Sequence, residues 1–404
     1  MPPTSSARSL LARRLAAALD RTGPLPTPLM VVDLDAFDAN AADLVRRAAG
    51  KPVRVASKSV RVPDLITRAL ATPGFRGVLA FTLREALWLH DRGVSADLLV
   101  AYPTTDRAAL TRLVASPEHA RAITLMVDDT DHLDLVDAVR GPAAPPVRVA
   151  IDVDAGLRLA GQHLGPKRSP LAEPQEVAAL ARSVVARPGF RLVGVMTYEG
   201  QVAGMPDEAP LRRGGSLVVR GVKRASIAQL QQRRRAVARL LEEIAELELW
   251  NAGGSGSVET TAADPVVTEV AAGSGLLVPA LFDHYRDFEP RPAAFFAVPV
   301  VRRPSESVAT VLGGGLVASG PAGGDRLPVP WLPEGLHLTA LEGAGEVQTP
   351  LAGPGAAGLR IGDLVWFRHA KSGELFEHTG SVQLLSGSEL VGEAATYRGL
   401  GQAF

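Results

Sequence analysis

From residue 53 onward, short runs of consecutive apolar residues alternate with longer amphipathic stretches. The runs at 53–56, 77–81, 96–101, 122–127, 147–153, 190–196, 247–250 and 267–271 are apolar enough to be strands buried on both faces. Between them, 63–70, 83–91, 106–115, 132–139, 174–186 and 226–246 read as helices. The connection after the seventh run carries no clear helix. Eight such units in about 220 residues fit a (β/α)8 barrel, whose usual size is about 250 residues. A doubly wound open sheet has the same periodicity and is the alternative.

Upstream, 29–34 reads as a strand and 35–49 as a helix with Asp35 as its N-cap. In residues 1–22, Leu10, Leu11, Leu15 and Leu19 recur at helical spacing, and no apolar h-region or cleavage site follows. The expectation is an amphipathic helix, not a targeting peptide. From residue 290 the pattern changes to β-type runs at 294–301, 308–312, 336–341, 345–348, 363–368 and 381–385, separated by Gly/Pro-rich turns. The expected class is therefore α/β: an N-terminal helix and linker (1–26), the barrel (27–289) and an all-β domain (290–404).

With 46% hydrophobic and 21% charged residues in 404, the chain can bury a large core. Its 43 basic and 43 acidic residues cancel, so no overall field favours nucleic acid or an anionic membrane. The most apolar stretch, 293–301, contains Pro299 and is far shorter than a membrane span. There is no cysteine, which excludes disulfides, thiolate metal sites and a cysteine nucleophile, and agrees with a cytoplasmic protein. Any metal must be held by His, carboxylates or water.

The first expected barrel strand runs into residues 54–61, Arg-Val-Ala-Ser-Lys-Ser-Val-Arg. An amine at the tip of a buried strand, with Arg54 and Arg61 nearby to oppose its protonation, is placed for Schiff-base chemistry. Lys58 is the candidate. Residues 251–257 (Asn-Ala-Gly-Gly-Ser-Gly-Ser) follow the seventh strand, and 271–275 (Ala-Ala-Gly-Ser-Gly) the eighth. Barrels most often hold a phosphate at those two strand ends, where glycines let amides approach and serines add donors. Gly253, Gly254, Ser255, Gly256, Gly273 and Ser274 are the candidates; Gly313 to Gly315 is taken for a turn of the β-domain.

Residues 152–158 end the fifth strand and 197–200 the sixth, on the same rim as Lys58. There Arg158 has the chemistry to hydrogen-bond a ring atom, and Tyr198 to lie against a ring. A bland alternative is that Asp152 or Asp154 pairs with Arg158 to hold a loop. Lysine, glycine turns, arginine and tyrosine together are the parts of a pyridoxal 5'-phosphate site.

These segments, with residues 27–40, Asp283, Tyr285, Gly362, Asp363 and His369, resemble in kind and order the fold type III (alanine-racemase-like) pyridoxal-phosphate enzymes, in their D-threonine aldolase and D-serine dehydratase branch. The resemblance implies a barrel followed by a β-domain, a homodimer and a small amino-acid substrate. It also implies a divalent metal held by a histidine and, two residues on, an aspartate or cysteine. Here that pair reads His369 and Lys371, and an ammonium cannot ligate a cation. Glu374, Glu377 or His378 then remain as substitutes beside His369, and the metal stays an open question.

No tyrosine matches the catalytic one of the family's racemases, since Tyr397 is in the tail and Tyr285 ends the barrel. His369 is the candidate second acid/base group, its pKa expected to be depressed by the Lys371 ammonium. The expected function is a lyase acting on a small β-hydroxy-amino acid, of D configuration as in the resembled branch. An amino-acid racemase or epimerase and a non-catalytic cofactor-binding homologue are the alternatives.

Overall fold

A computed structural model describes residues 5–159, 161–207, 215–285, 289 and 291–404. The chain divides into two compact units: residues 42–58 with 65–273, and the flanking stretches up to 41, 59–64 and 274–403.

All eight apolar runs form parallel strands: β1 (Val53–Ala56), β2 (Phe75–Ala80), β3 (Leu98–Val100), β4 (Ile123–Val127), β5 (Val147–Asp152), β6 (Phe190–Thr197), β7 (Leu249–Ala252) and β8 (Glu269–Ala272). β8 pairs with β1 and the sheet closes into a barrel, which excludes the open-sheet alternative. Its interior is filled by Leu99, Met126, Ala150, Met196 and Leu249, one residue from each of five strands. Helices Pro63–Leu70 and Leu83–Asp91 have the expected bounds. Arg107–Ala115 starts where the Asp106 carboxylate accepts from the Ala109 amide at 3.0 Å. After β7 the chain makes only the five-residue helix Val258–Ala262. The long helix Gly215–Glu242 begins ahead of its expected start at 226. Residues 208–214 of the preceding insertion, 1–4 of the first expected helix and the boundary residue 290 lie outside the described residues.

One arginine of the lysine stretch has a different task from the one expected. Arg54 is 2% exposed and donates to Glu269 at 2.7 and 2.8 Å and to Asp97 at 2.8 Å. Its charge is neutralised by these two carboxylates and is not available to oppose protonation of Lys58. Arg61 belongs to the other unit, where it pairs with Glu377.

In that other unit, the strand Leu29–Asp33 pairs antiparallel with Ala294–Ser305 and parallel with Ser381–Ser386. The boundary expected at 27 therefore moves: this strand belongs to the sheet of the later residues. It is buried on both faces like a barrel strand, so only its distant partners reveal where it pairs. Helix Ser5–Thr22 buries Leu11, Leu15 and Ala18 against Val31, Phe295, Trp331 and Trp366, whereas Leu10 is 51% exposed. The cap of helix Leu34–Arg47 is Asp33, not Asp35, for its carboxylate accepts from the Asp35 amide at 3.1 Å. Strands Val329–Leu332 and Glu389–Ala395 were not expected, the first because Pro330 interrupts it. The run expected at 345–348 shifts to Gln348–Ala352. Among the described residues no helix is long and apolar enough to cross a membrane.

Candidate active site

Parallel strands of a closed barrel all end on one rim, so the residues just beyond their carboxyl ends converge. Lys58 follows β1, Tyr102 β3, Asp128 β4, Tyr198 β6, Gly253 β7 and Gly273 β8, and Asp152 is the last residue of β5. The Lys58 ammonium donates from Nζ to Tyr102 Oη at 2.7 Å. Burial pushes the Tyr102 phenol up, but Lys58 and then Arg168 more than reverse this, leaving it below its ordinary value.

The arginine at this centre is Arg168, on the connection after β5. Its guanidinium carbon lies 5.3 Å from the Tyr102 ring centroid and 5.4 Å from that of Tyr198, bridging the two aromatic faces. Arg158 sits instead in the hairpin formed by Leu157–Leu159 and Gln162–Leu164, its side chain 47% exposed and paired with Asp154 at 3.2 Å. The loop-holding alternative therefore describes Arg158. Asp154 also accepts from the Gly156 amide at 2.9 Å and faces His163 at 3.0 Å. Tyr198 is half-buried, and loss of solvent around its phenol pushes it up to about 12 against the pull of Arg168.

Burial, with Asp128 adding to it, pushes the Asp152 carboxyl up to about 8, while Arg168 opposes. A carboxyl in that state is protonated at neutral pH and donates a hydrogen bond. In an unfolded chain it would ionise near 4, so between about pH 4 and pH 8 the folded state binds the extra proton and loses stability as pH rises. Asp152→Asn, which stays neutral, should gain stability relative to the parent by up to about 1.4 kcal/mol per pH unit across that window. Thermal melts of both proteins at pH 5 and pH 8 measure it; a difference that does not grow with pH would place the carboxyl's proton elsewhere.

Glycine at 253 is required by a φ of +84°. The Gly253 amide donates to Glu199 Oε2 at 3.3 Å, Gly254 to Ser257 Oγ at 3.2 Å, and Gly273 to Ser255 Oγ at 3.3 Å. Two of these amides thus rest on serine hydroxyls at the long end of the hydrogen-bond range, where an anionic oxygen would replace them readily. Gly254 and Gly256 are half-buried between buried neighbours, which turns them outward. A side chain at 254 would start 2.9 Å from Ala203 Cβ and 3.4 Å from the Tyr198 ring, so this glycine also seats the tyrosine.

Glu199 braces the whole turn. It is 2% exposed and accepts from Arg234 Nη2 at 3.0 Å, from Ser257 Oγ at 3.1 Å and from Thr261 Oγ1. Arg234 in turn donates to Thr197 Oγ1 at 2.9 Å and pairs with Asp264 at 3.2 Å.

The remaining candidates belong to the other unit. There Ser274 Oγ lies 3.1 Å from Ser59 Oγ, and the Ser274 carbonyl accepts from Ser372 Oγ at 3.4 Å. His369 is buried with Nε2 3.4 Å from Ser372 Oγ. Burial and then the neighbouring Arg368 push its imidazole down to about 3, so the ring is neutral at pH 7. Arg368, not Lys371, is the cation responsible. Lys371 is exposed, donates to Ser319 Oγ at 2.6 Å and lies 3.6 Å from Glu374.

Neither cofactor nor metal is part of this chain, so each is tested against the side chains present. Pyridoxal phosphate fits: an amine on a strand tip, two tyrosine faces bridged by a guanidinium, and glycine-serine turns after β7 and β8 form the right donor set. A divalent metal at His369 does not. Glu374 accepts from the Ser319 amide at 2.8 Å, Glu377 is held by Arg61 and by Arg398 at 2.5 Å, and His378 is exposed. Among the described residues, no three gathered His, Asp or Glu ligand atoms include His369.

Comparison with known proteins places these features. The model for the alanine racemase N-terminal domain matches residues 32–279. A D-threonine aldolase from an Arthrobacter species is 28% identical over 259 residues, which are 63% of this chain and 62% of that protein. The match thus spans less than two thirds of that curated relative. The crystal structure of D-threonine aldolase from Filomicrobium marinum superposes with a TM-score of 0.77 at 20% identity, over 94% of this chain and 96% of that one. D-threo-3-hydroxyaspartate dehydratase from Delftia sp. HT23 gives 0.71 at 19%, over 92% and 97%. At these identities the two structures bear on the fold alone.

Proposed function

The chain belongs to the alanine racemase N-terminal domain family, and from that membership we propose that it is a pyridoxal-phosphate-dependent lyase acting on a small β-hydroxy-amino acid of D configuration. The observation that carries the reading is the Lys58 amine held on Tyr102 at the barrel rim, with Arg168 bridging Tyr102 and Tyr198. The D-threonine aldolase that the chain resembles in sequence supports the reaction class, and dehydration is kept as the second outcome open to the same kind of substrate. Both outcomes start from the same bound substrate: retro-aldol cleavage gives glycine and an aldehyde, dehydration gives a keto acid and ammonia.

When bound, pyridoxal phosphate supplies an electron sink. Lys58 is the residue that carries it, and Tyr102 aims the amine and exchanges a proton with Nζ, a role its acidified phenol suits. Arg168 and Tyr198 hold the ring, and the turn containing Gly253, Gly254, Ser255 and Gly256, with Gly273 and Ser274 after β8, holds the phosphate. Asp152 offers a neutral donor to the same rim. We assign the β-hydroxyl proton to His369, whose imidazole is neutral at pH 7 and so has a lone pair free to accept it, although the depressed pKa makes it a weak base. No step is assigned to a metal, because the carboxylates that follow His369 in sequence are engaged elsewhere, Glu374 by Ser319 and Lys371 and Glu377 by Arg61 and Arg398. The protein is proposed to work as a cytoplasmic homodimer.

The test is product analysis with a panel of D- and L-β-hydroxy-amino acids, with and without chelator. Turnover of D isomers to an aldehyde or a keto acid is expected, at a rate that chelator leaves within about twofold and that His369→Ala lowers by about 10²-fold or more. Racemised substrate as the sole product would make the protein an isomerase. Loss of activity in chelator, restored by one divalent ion, would return the metal to His369.

A further inference from the structure

Away from the barrel rim, three short helices bring together side chains to which the lyase reading gives no role. His90 and Asp91 end helix Leu83–Asp91, and His119 lies in helix Pro117–Ala122. Asp91 Oδ1 is 2.7 Å from His119 Nε2 and 3.7 Å from His90 Nδ1, and the ligand atoms of the three residues all lie within 4.8 Å of one another. The two imidazoles meet edge to face, with centroids 5.1 Å apart. His90 Nδ1 is shut off from solvent and makes no hydrogen bond.

What turns this cluster into a candidate site is the residue behind it. Arg112, in helix Arg107–Ala115, offers its backbone carbonyl to His119 Nδ1 at 3.4 Å and its Nη2 to Asp91 Oδ2 at 2.8 Å. A carbonyl facing Nδ1 selects the tautomer protonated there, which leaves the Nε2 lone pair directed at Asp91 Oδ1. Two acceptors 2.7 Å apart repel unless a cation or proton lies with them. Metal-bound histidines commonly donate their second ring N–H to a carbonyl, and ligating carboxylates are commonly held at the other oxygen. One residue performs both tasks here.

We propose that His90 Nδ1, Asp91 Oδ1 and His119 Nε2 bind a borderline divalent transition metal, Zn2+ being the type, with water in the fourth position. Two imidazoles and one carboxylate suit such an ion, and hard oxygen-seeking cations such as Ca2+ and Mg2+ would find too few oxygens. The exposed carboxylate side provides the entry path and the place for the water. Because the ligands come from two helices and Arg112 from a third, the ion would clip the outer layer of the barrel unit; it takes no part in turnover.

The experiment uses the tag-free, cofactor-loaded full chain, stripped of metal and titrated with Zn2+ by calorimetry, alongside His90→Gln and His119→Gln. One tight Zn2+ per chain is expected in the parent, with the melting temperature raised by about 3 °C at a hundredfold excess over Kd. Each variant should lose that stoichiometric binding and the shift, and keep the parent's turnover. Co2+ in the parent should give the visible absorption of a four-coordinate centre, a readout independent of the variants' folding. Unchanged Zn2+ stoichiometry in both variants, or a Co2+ spectrum of the hydrated ion alone, overturns the proposal.

Discussion

Lys58→Ala should abolish turnover, with a fall of about 10⁴-fold or more, because it removes the amine by which the cofactor is carried and with it the proton exchange between Nζ and Tyr102. The protein as purified, or after addition of pyridoxal phosphate, should absorb visible light, and borohydride should fix the cofactor to the peptide containing Lys58. The chain's four other lysines are placed for other tasks. Lys51 donates to the Asp264 carbonyl, Lys223 pairs with Asp207 at 2.6 Å, Lys371 is bound to Ser319, and Lys167 is exposed. Of the five, Lys58 alone follows the carboxyl end of a barrel strand. Mass mapping of the reduced protein checks this, and a label on another lysine would relocate the site. Lys58→Arg separates carrying from charge: it keeps the cation against Tyr102 and should be as inactive as the alanine variant.

The barrel was legible because a parallel strand under two covered faces is apolar at successive positions, and all eight such strands show it. The same rule misplaced Leu29–Asp33, whose covered faces look identical although its partners are residues beyond 290. The strand-end lysine and the two glycine turns could be read because their neighbours in sequence are also their neighbours in space. The arginine could not. Arg158 and Arg168 lie on one polar connection after β5, and only the hairpin formed by residues 157–164 turns the first toward Asp154 and leaves the second for the tyrosines. Nor does any local signal show that Asp152 keeps its proton, since that depends on burial and on Asp128, which follows a different strand.

Glu199 is the strongest case of a role hidden from sequence, and its replacement should have a large effect on both stability and cofactor binding. Its two oxygens receive Arg234, the Gly253 amide, Ser257 and Thr261, and Ser257 in turn supports the Gly254 amide. Glu199→Ala takes from the buried Arg234 one of its two carboxylates, Asp264 remaining, and leaves the Gly253 amide and the Ser257 and Thr261 hydroxyls without this acceptor, a change that costs on the order of 3 kcal/mol. It also frees the turn that we assign to the phosphate, so the Kd for pyridoxal phosphate should rise at least about tenfold, equivalent to about 1.4 kcal/mol. Glu199→Gln should lie between: its carbonyl still accepts from Arg234, and its amide meets hydroxyls of Ser257 and Thr261 that rotate to accept, so the geometry survives and the charge does not. Urea unfolding and cofactor titration of the two variants measure these effects separately. If Glu199→Ala lost stability yet bound pyridoxal phosphate as tightly as the parent, the turn after β7 would be a structural brace only, and the phosphate would have to be sought among other donors.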